Sequence, residues 1–290
     1  MVLFVASIVG GGVLGGIFAL IGLGFVLAFR STGTFNFAHG ELMLLPAFIV
    51  GYAELHHLAF TVGLVLALVI AAVIGAAFYA LVLRRTTGLH LFMGAVATFG
   101  LAAILDGVMG IVFGSNQYLI QNAGLPSGNT HILTATVSKE QIALAVFSLL
   151  LAALVMVVVR FTHLGVMIRA AGQDAILASQ GGIPVRRIYL VSWGASAVLA
   201  GIAGIVYGAS AVVNTSMVTL GLAAIPAIVL GGMDSIGGAI VGGIIVGLIE
   251  SFTQVYLGGT YVDAVTYGML LIVLLAYPQG LFGTKQVVRA

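Results

Sequence analysis

The sequence predicts an all-α protein, a polytopic bundle of eight or nine transmembrane helices that includes short and broken ones. Three observations predict it. Of the 290 residues, 61% are hydrophobic and 6% charged, where a soluble domain carries about 25% charged residues; mean hydropathy is +1.25. A chain so poor in charge cannot keep a surface wet, so the bilayer is its solvent. The apolar residues gather into stretches near the roughly 20 residues that a span requires. Gly is abundant, at 41 residues, and Pro scarce, at 5, which suits closely packed membrane helices. The chain has no cysteine, which excludes disulfides, thiolate metal sites and cysteine nucleophiles. A formal net charge of +2 is too small to argue for nucleic acid.

The first apolar stretch, 4–29, has no basic n-region before it and is too long for the h-region of a signal peptide, so it is expected to stay as a span. Further long spans are expected at 60–83, 91–113, 142–159, 188–212, 236–257 and 265–277. Two apolar pieces are short or interrupted: 41–53, and 220–232, which Pro226 breaks and Gly231-Gly232 closes. With each stretch counted as one crossing, Arg30, Arg84, Arg85, Arg160, Arg169, Arg186, Arg187, Lys285 and Arg289 all fall on one face, and only Lys139 on the other. Cytoplasmic loops collect Lys and Arg, so nine crossings put the N-terminus outside and the C-terminus inside. The whole chain reads as one transmembrane domain.

The two large loops differ. The outer one, about 114–139, is rich in Asn, Ser, Thr and Gly. The centre of the inner one, 165–182, has good helix formers and no Pro, with Ile168, Ala171, Ala175 and Ala178 on one helical face and Arg169, Gln173 and Gln180 on another. Gly181-Gly182 and Pro184 end it. It reads either as a short amphipathic helix that lies on the membrane or fits a partner, or as a plain surface loop. A visual echo links the two halves: Gly-rich helix 11–29 precedes the short piece after His39-Gly40, and Gly-rich 201–208 precedes the piece ending at Gly231-Gly232. Broken helices at matching places point to a substrate path in transporters.

Residues 30–40, RSTGTFNFAHG, are polar and precede Glu41. Non-helical backbone at membrane depth is tolerated only inside protein or facing water. Asn36, His39 and Glu41 therefore belong either to a re-entrant break beside a path or to an inner turn with interfacial caps. Asp106 and Glu250 lie inside spans, where a carboxylate is costly and faces a cavity or a partner; a helix-locking contact is the structural alternative. The pairs Gly11/Gly15, Gly12/Gly16, Gly204/Gly208, Gly238/Gly242 and Gly243/Gly247 carry the four-residue spacing that lets helices touch. No zincin, nucleophile-elbow or Cys-pair motif occurs, and 280–285 lacks the register of a phosphate loop. No site for using ATP is recognisable, so ATP-driven work would fall to a partner, and the chain reads as a transporter subunit and not an enzyme.

Three blocks carry a resemblance. The first runs from Gly22-Leu-Gly-Phe25 through Arg30-Ser-Thr-Gly33 to Phe35-Asn-Phe-Ala-His-Gly-Glu41. The second is Arg169-Ala-Ala-Gly-Gln-Asp174 through Ala178 to Gly182-Ile183, and the third is 229–238 with Gly242-Gly243, Glu250 and 277–283. Over nearly its whole length the chain resembles the LivH-type permease subunits of bacterial branched-chain amino acid ABC importers. The resemblance implies an inner-membrane permease paired with a second, related permease. Two ATPase subunits would bind ATP and Mg on the cytoplasmic face, this chain binding no cofactor and no metal, and a substrate-binding protein would deliver solute outside. It further implies a cytoplasmic coupling segment, about 163–187, with Arg169, Ala170, Gly172, Gln173, Asp174, Ala178 and Gly182 at the ATPase contact. Asn36, His39 and Glu41 would lie at a critical break near the path, with Asp106 and Glu250 as further path candidates. Related permeases carry branched-chain and other amino acids, urea or short amides, or aromatic acids; branched-chain amino acids are the default. An ATP-independent secondary transporter using Asp106 and Glu250 is the alternative class.

Overall fold

A computed structural model describes residues 1–86, 91–121, 123–132 and 135–283. Lys285 and Arg289, expected on the inner face, lie outside the described residues. Seven helices are long and apolar enough to cross a membrane by length and composition. Six of these are α1 (Val2–Thr32), α5 (Leu91–Val112), α6 (Lys139–Phe161), α9 (Val185–Ser210), α12 (Ile236–Tyr256) and α13 (Val262–Ala276), the last counted together with the 3-10 turn Gly259–Tyr261 before it. The seventh is α3 (Phe60–Phe78), continued by a π turn at Tyr79–Leu83 and by α4 (Arg84–Thr86). Between them stand the shorter α2 (His39–Leu55), α7 (His163–Gln173), α8 (Ala175–Gln180), α10 (Val218–Ala223) and α11 (Ile225–Gly231). The polytopic helical bundle is thus present, with its short pieces where the sequence placed them. The loop before α6 adds something unforeseen, an antiparallel hairpin of β1 (Asn129–Ile132) and β2 (Ala135–Ser138).

The chain divides into two compact units. One comprises Met1–Gly22, Leu125–Ala152 and Ala223–Ala290. Its seam is glycine against glycine. Gly11 and Gly15 on α1 face Leu248 and Ile244, and Gly243 and Gly247 on α12 face Ala19 and Gly15. A Cβ at Gly15 would stand 2.9 Å from the Ile244 Cα, and one at Gly243 would stand 2.5 Å from the Ala19 nitrogen. Only a missing side chain permits that approach, and in a membrane close backbone packing replaces the hydrophobic drive that is absent between helices. The neighbouring face of α1, at Gly12 and Gly16, meets Ala145 and Ser148 of α6. Helix α11 packs on α12 in the same way, Gly231 against Gly238 and Gly242 against the Ala227 carbonyl.

The other unit comprises Leu23–Gly124 and Ala153–Leu222. Helices α2, α3 and α9 form its core around Phe48 and Trp193. Gly63 admits Ala53, Gly75 admits Trp193, Gly201 admits Pro46 and Gly204 admits the Met43 carbonyl. At one end, Ala28 of α1, Phe78 of α3, Tyr79 and Leu83 of the π turn after it, and Ile188, Tyr189 and Trp193 of α9 form one buried cluster with Ile168, Ala171 and Ala178. The chain ends that bear Arg30, Arg84, Arg85, Arg186 and Arg187 therefore converge.

Candidate functional site

Helix α1 ends at Thr32, Gly33 takes a φ of 68°, and helix resumes at His39. The restart is not level with the end of α1. A Cβ at Gly24 would stand 3.0 Å from the His39 Cε1 and 2.9 Å from the Ser196 carbonyl oxygen of α9. Gly24 lies about two turns before Thr32, roughly 12 Å along the axis. Residues 33–38 therefore fold back along α1, and α2 begins inside the bundle. Asn36 and His39 are each only 3% exposed, so they lie buried within this unit and are not solvated caps of a surface turn.

Side chains take up the stray backbone. The Thr98 hydroxyl of α5 accepts from the Phe37 N–H at 3.1 Å and lies 3.1 Å from the Phe35 carbonyl. Asn36 Oδ1 accepts from the Ala38 N–H at 3.1 Å. A run of rings, Phe25–Phe35, Phe35–Phe37 and Phe37–Phe99 with centroids 4.5, 4.7 and 4.2 Å apart, walls the segment, and His39 stands edge-on to Phe25. The start of α2 also meets α10 backbone to backbone, since a Cβ at Gly221 would stand 2.5 Å from the Gly40 Cα. Several buried groups keep unused hydrogen-bonding capacity: Asn36 Nδ2, Glu41 Oε2 and the hydroxyls of Ser192 and Ser196. Buried polar atoms are rarely left unpaired, so these mark places where water or a polar solute group can bond. Sequence reasoning missed Thr98, Ser192 and Ser196; the four-residue spacing of the two serines in an apolar helix was the available signal.

The 163–187 segment is two helices and not one. Asp174 ends α7, and its Oδ1 accepts from the Ile176 and Leu177 N–H groups, both at 2.9 Å, to start α8. The turn rotates the second helix, so Ile168, Ala171 and Ala178 are buried as the periodicity requires while Ala175 is exposed. Pro184 caps α9, which places Arg186 and Arg187 in the first turn of a span. The segment is fastened at three points. Gly165 lies against the last turns of α6 at Val159, whose carbonyl also accepts from the Arg169 guanidinium. Gly172 lies against the Arg30 carbonyl. The Tyr189 hydroxyl donates to the Ala171 carbonyl at 2.9 Å. Arg169 and Ala170 are half-buried, and Gly172, Gln173, Asp174 and Gly182 are exposed, as are Ile176 and Leu177 beside them.

The two carboxylates within spans have different settings. Asp106 is exposed on α5, at the edge of the buried face of Ala102, Leu105 and Met109, and lies within electrostatic range of Glu41. Glu250 of α12 is half-buried and accepts from the Thr266 hydroxyl of α13 at 3.4 Å. Among the described residues no cluster of three or more His, Cys, Asp or Glu could hold a metal ion.

Apolar spans, a break between helices lined by buried polar atoms and a helical segment fastened across the ends of several spans are the features of a membrane permease. The chain belongs to the family of branched-chain amino acid transport system permease components, which it matches over residues 7–274. It is 27% identical to the high-affinity branched-chain amino acid transport system permease protein LivH of Escherichia coli K12, over 98% of this chain and 97% of that protein. It is 26% identical to the corresponding protein BraD of Pseudomonas aeruginosa, with the same coverage. Among solved structures, it resembles PsaBC of Streptococcus pneumoniae, determined in complex with Fab, at a TM-score of 0.52, covering 96% of this chain and 93% of that one. At 13% identity that likeness concerns the fold alone.

Proposed function

We propose that this chain is the membrane-spanning permease subunit of an ATP-driven importer of branched-chain amino acids, working as one transmembrane domain. It lies in a bacterial inner membrane with its N-terminus outside and its arginine-rich ends in the cytoplasm. A second, related permease completes the pathway. Two ATPase subunits bind ATP and Mg and hydrolyse the nucleotide, and a substrate-binding protein delivers solute from outside. The observation that carries the reading is the fastening of α7 and α8: their buried side chains belong to the same cluster as the ends of α1, α3 and α9. A push on this segment is a push on three spans at once, which is what a coupling element requires. The exposed Gln173, Asp174, Ile176 and Leu177 face the ATPase. Arg169, bonded to Val159, holds the segment in place. The likeness to LivH and BraD over nearly the whole chain supports the solute class.

Asn36, His39 and Glu41 sit at the break beside the path, and the buried serines of α9 line the same region. Glu250 serves as a helix lock with Thr266.

The test is to tag the chain, extract it mildly from its native membrane and reconstitute what accompanies it. A second permease, ATPases and ATP-dependent leucine uptake are expected. A chain that comes out alone and moves solute without ATP would falsify the coupling mechanism and return Asp106 and Glu250 as ion-coupling sites.

A further inference from the structure

At the end of α3 the chain passes through the π turn, a form frequent at functional sites, and Arg84 and Arg85 follow directly. Helix α9 packs against that turn and carries Arg186 and Arg187 at its start. All four arginines are exposed, and among the described residues none of their side chains makes a hydrogen bond or ion pair. The carboxylate of the adjoining α7–α8 segment, Asp174, is committed to the cap of α8. Tyr79 joins the two pairs of arginines. Arg84 and Arg186 both lie within electrostatic range of its hydroxyl. Its ring stands edge-on to Tyr189 at 5.8 Å, and the residue is only 3% exposed. The Tyr189 hydroxyl has the Ala171 carbonyl as its partner, whereas that of Tyr79 makes no hydrogen bond among the described residues. A buried tyrosine hydroxyl usually has one. About one turn further into the spans, Leu81 and Val82 of the π turn and Leu190 and Val191 of α9 are exposed.

We infer that this corner binds an anionic phospholipid, with its phosphate held by Arg84, Arg186 and the Tyr79 hydroxyl and its acyl chains laid along the exposed aliphatics. Phosphate oxygens accept several guanidinium N–H bonds at once, and a tyrosine hydroxyl can donate a further one. Arginines at the ends of spans stand at the depth of the headgroups, where anionic lipids supply the missing negative charge. A protein partner in the aqueous phase could meet the arginines but not the aliphatics, which lie within the spans. Tyr79 and Tyr189 belong to the buried cluster that holds α7 and α8, so a lipid seated here braces the ends of α3 and α9 beneath that segment.

The experiment uses the full chain, stripped of lipid in detergent. The probes are phosphatidylglycerol and phosphatidylcholine with identical acyl chains, and native mass spectrometry counts the bound lipid. Phosphatidylglycerol is expected to bind about tenfold or more tightly, the scale of one charge-assisted hydrogen bond. Replacing Arg84 and Arg186 together by Ala is expected to remove that preference, and Arg160→Ala, at the end of α6, to keep it. Tyr79→Phe, which retains the ring, is expected to weaken phosphatidylglycerol about threefold to tenfold. Glycerol phosphate at the same concentration is expected not to displace the lipid. Equal binding of the two lipids overturns the inference, and that comparison stands on the unaltered chain even if a variant misfolds. An Arg160→Ala loss as large as that of the double variant overturns it too, because the attraction is then diffuse. Displacement by glycerol phosphate would make the corner a site for a soluble phosphate ester. A double variant that keeps its lipid but no longer extracts with ATPases would assign the arginines to a protein partner. Either result overturns the lipid assignment. The assay uses neither solute nor ATP, so its outcome is independent of the importer reading.

Discussion

Two breaks in this bundle, which look alike in sequence, are held by different means. At 33–38 the backbone that leaves α1 is taken up by side chains, the hydroxyl of Thr98 and the amide of Asn36, and is walled by rings. At 232–235, after α11, main chain takes up the end of the helix, and the Ser235 hydroxyl, accepting from the Gly238 N–H at 3.0 Å, starts α12. The Leu281 and Phe282 N–H groups donate to the Leu230 and Gly231 carbonyls at 2.8 and 3.0 Å, and Gly232, at a φ of 101°, lies against Gly283. The terminal carbonyls of a helix lack partners within it, and here a returning strand of backbone supplies them. A break secured mainly by main chain is fixed in shape, and its Ser235 hydroxyl is already committed to the cap of α12. A break secured by side chains leaves some polar capacity unused, and that is where Asn36, Glu41 and the α9 serines stand.

The largest expected effect attacks the main-chain seam. Gly242→Leu drives a side chain into the Ala227 carbonyl and is expected to cost about 3 kcal/mol or prevent assembly. Gly268→Leu on α13, where nothing lies within 4 Å, should change stability by less than about 0.5 kcal/mol. Thermal unfolding in detergent compares them, and equal stability of the two variants would break the comparison. Next comes Thr98→Val, which keeps the shape and removes the hydroxyl that holds the first break. A loss of about 2 kcal/mol is expected, with faster amide exchange confined to 35–38.

A third interruption extends the test. Asp174→Ala removes the cap that starts α8 and should cost about 1 kcal/mol; in the reconstituted importer, ATP hydrolysis is expected to persist while leucine uptake falls. Uptake that tracks hydrolysis would take the coupling role from this turn. The smallest effect is expected for Asp106→Asn, because among the described residues this side chain makes no hydrogen bond or ion pair. Stability should move by less than about 0.5 kcal/mol, so any change in transport kinetics would report on the path itself.

The glycine pairs show how far the sequence could be read. Gly11/Gly15 and Gly243/Gly247 announced close packing, but a four-residue spacing is a local pattern and does not choose its partner; only the fold joins those two pairs to each other. Asp174 had a readable signal, since Asp is a strong N-cap, yet the apolar periodicity across it suggested one continuous helix. Thr98 gave no signal at all, because its partners lie 61 and 63 residues away in sequence.

By itself the sequence determined the solvent, the spans and the clustering of basic residues at one set of helix ends. Hydropathy and charge act on each residue through the bilayer, so short windows contain the information. The tertiary structure alone decided how deep the first break reaches, which glycines meet, and that the Arg169 guanidinium is held by the Val159 carbonyl. These are contacts between distant parts of the chain, and their energy exists only once the helices have packed.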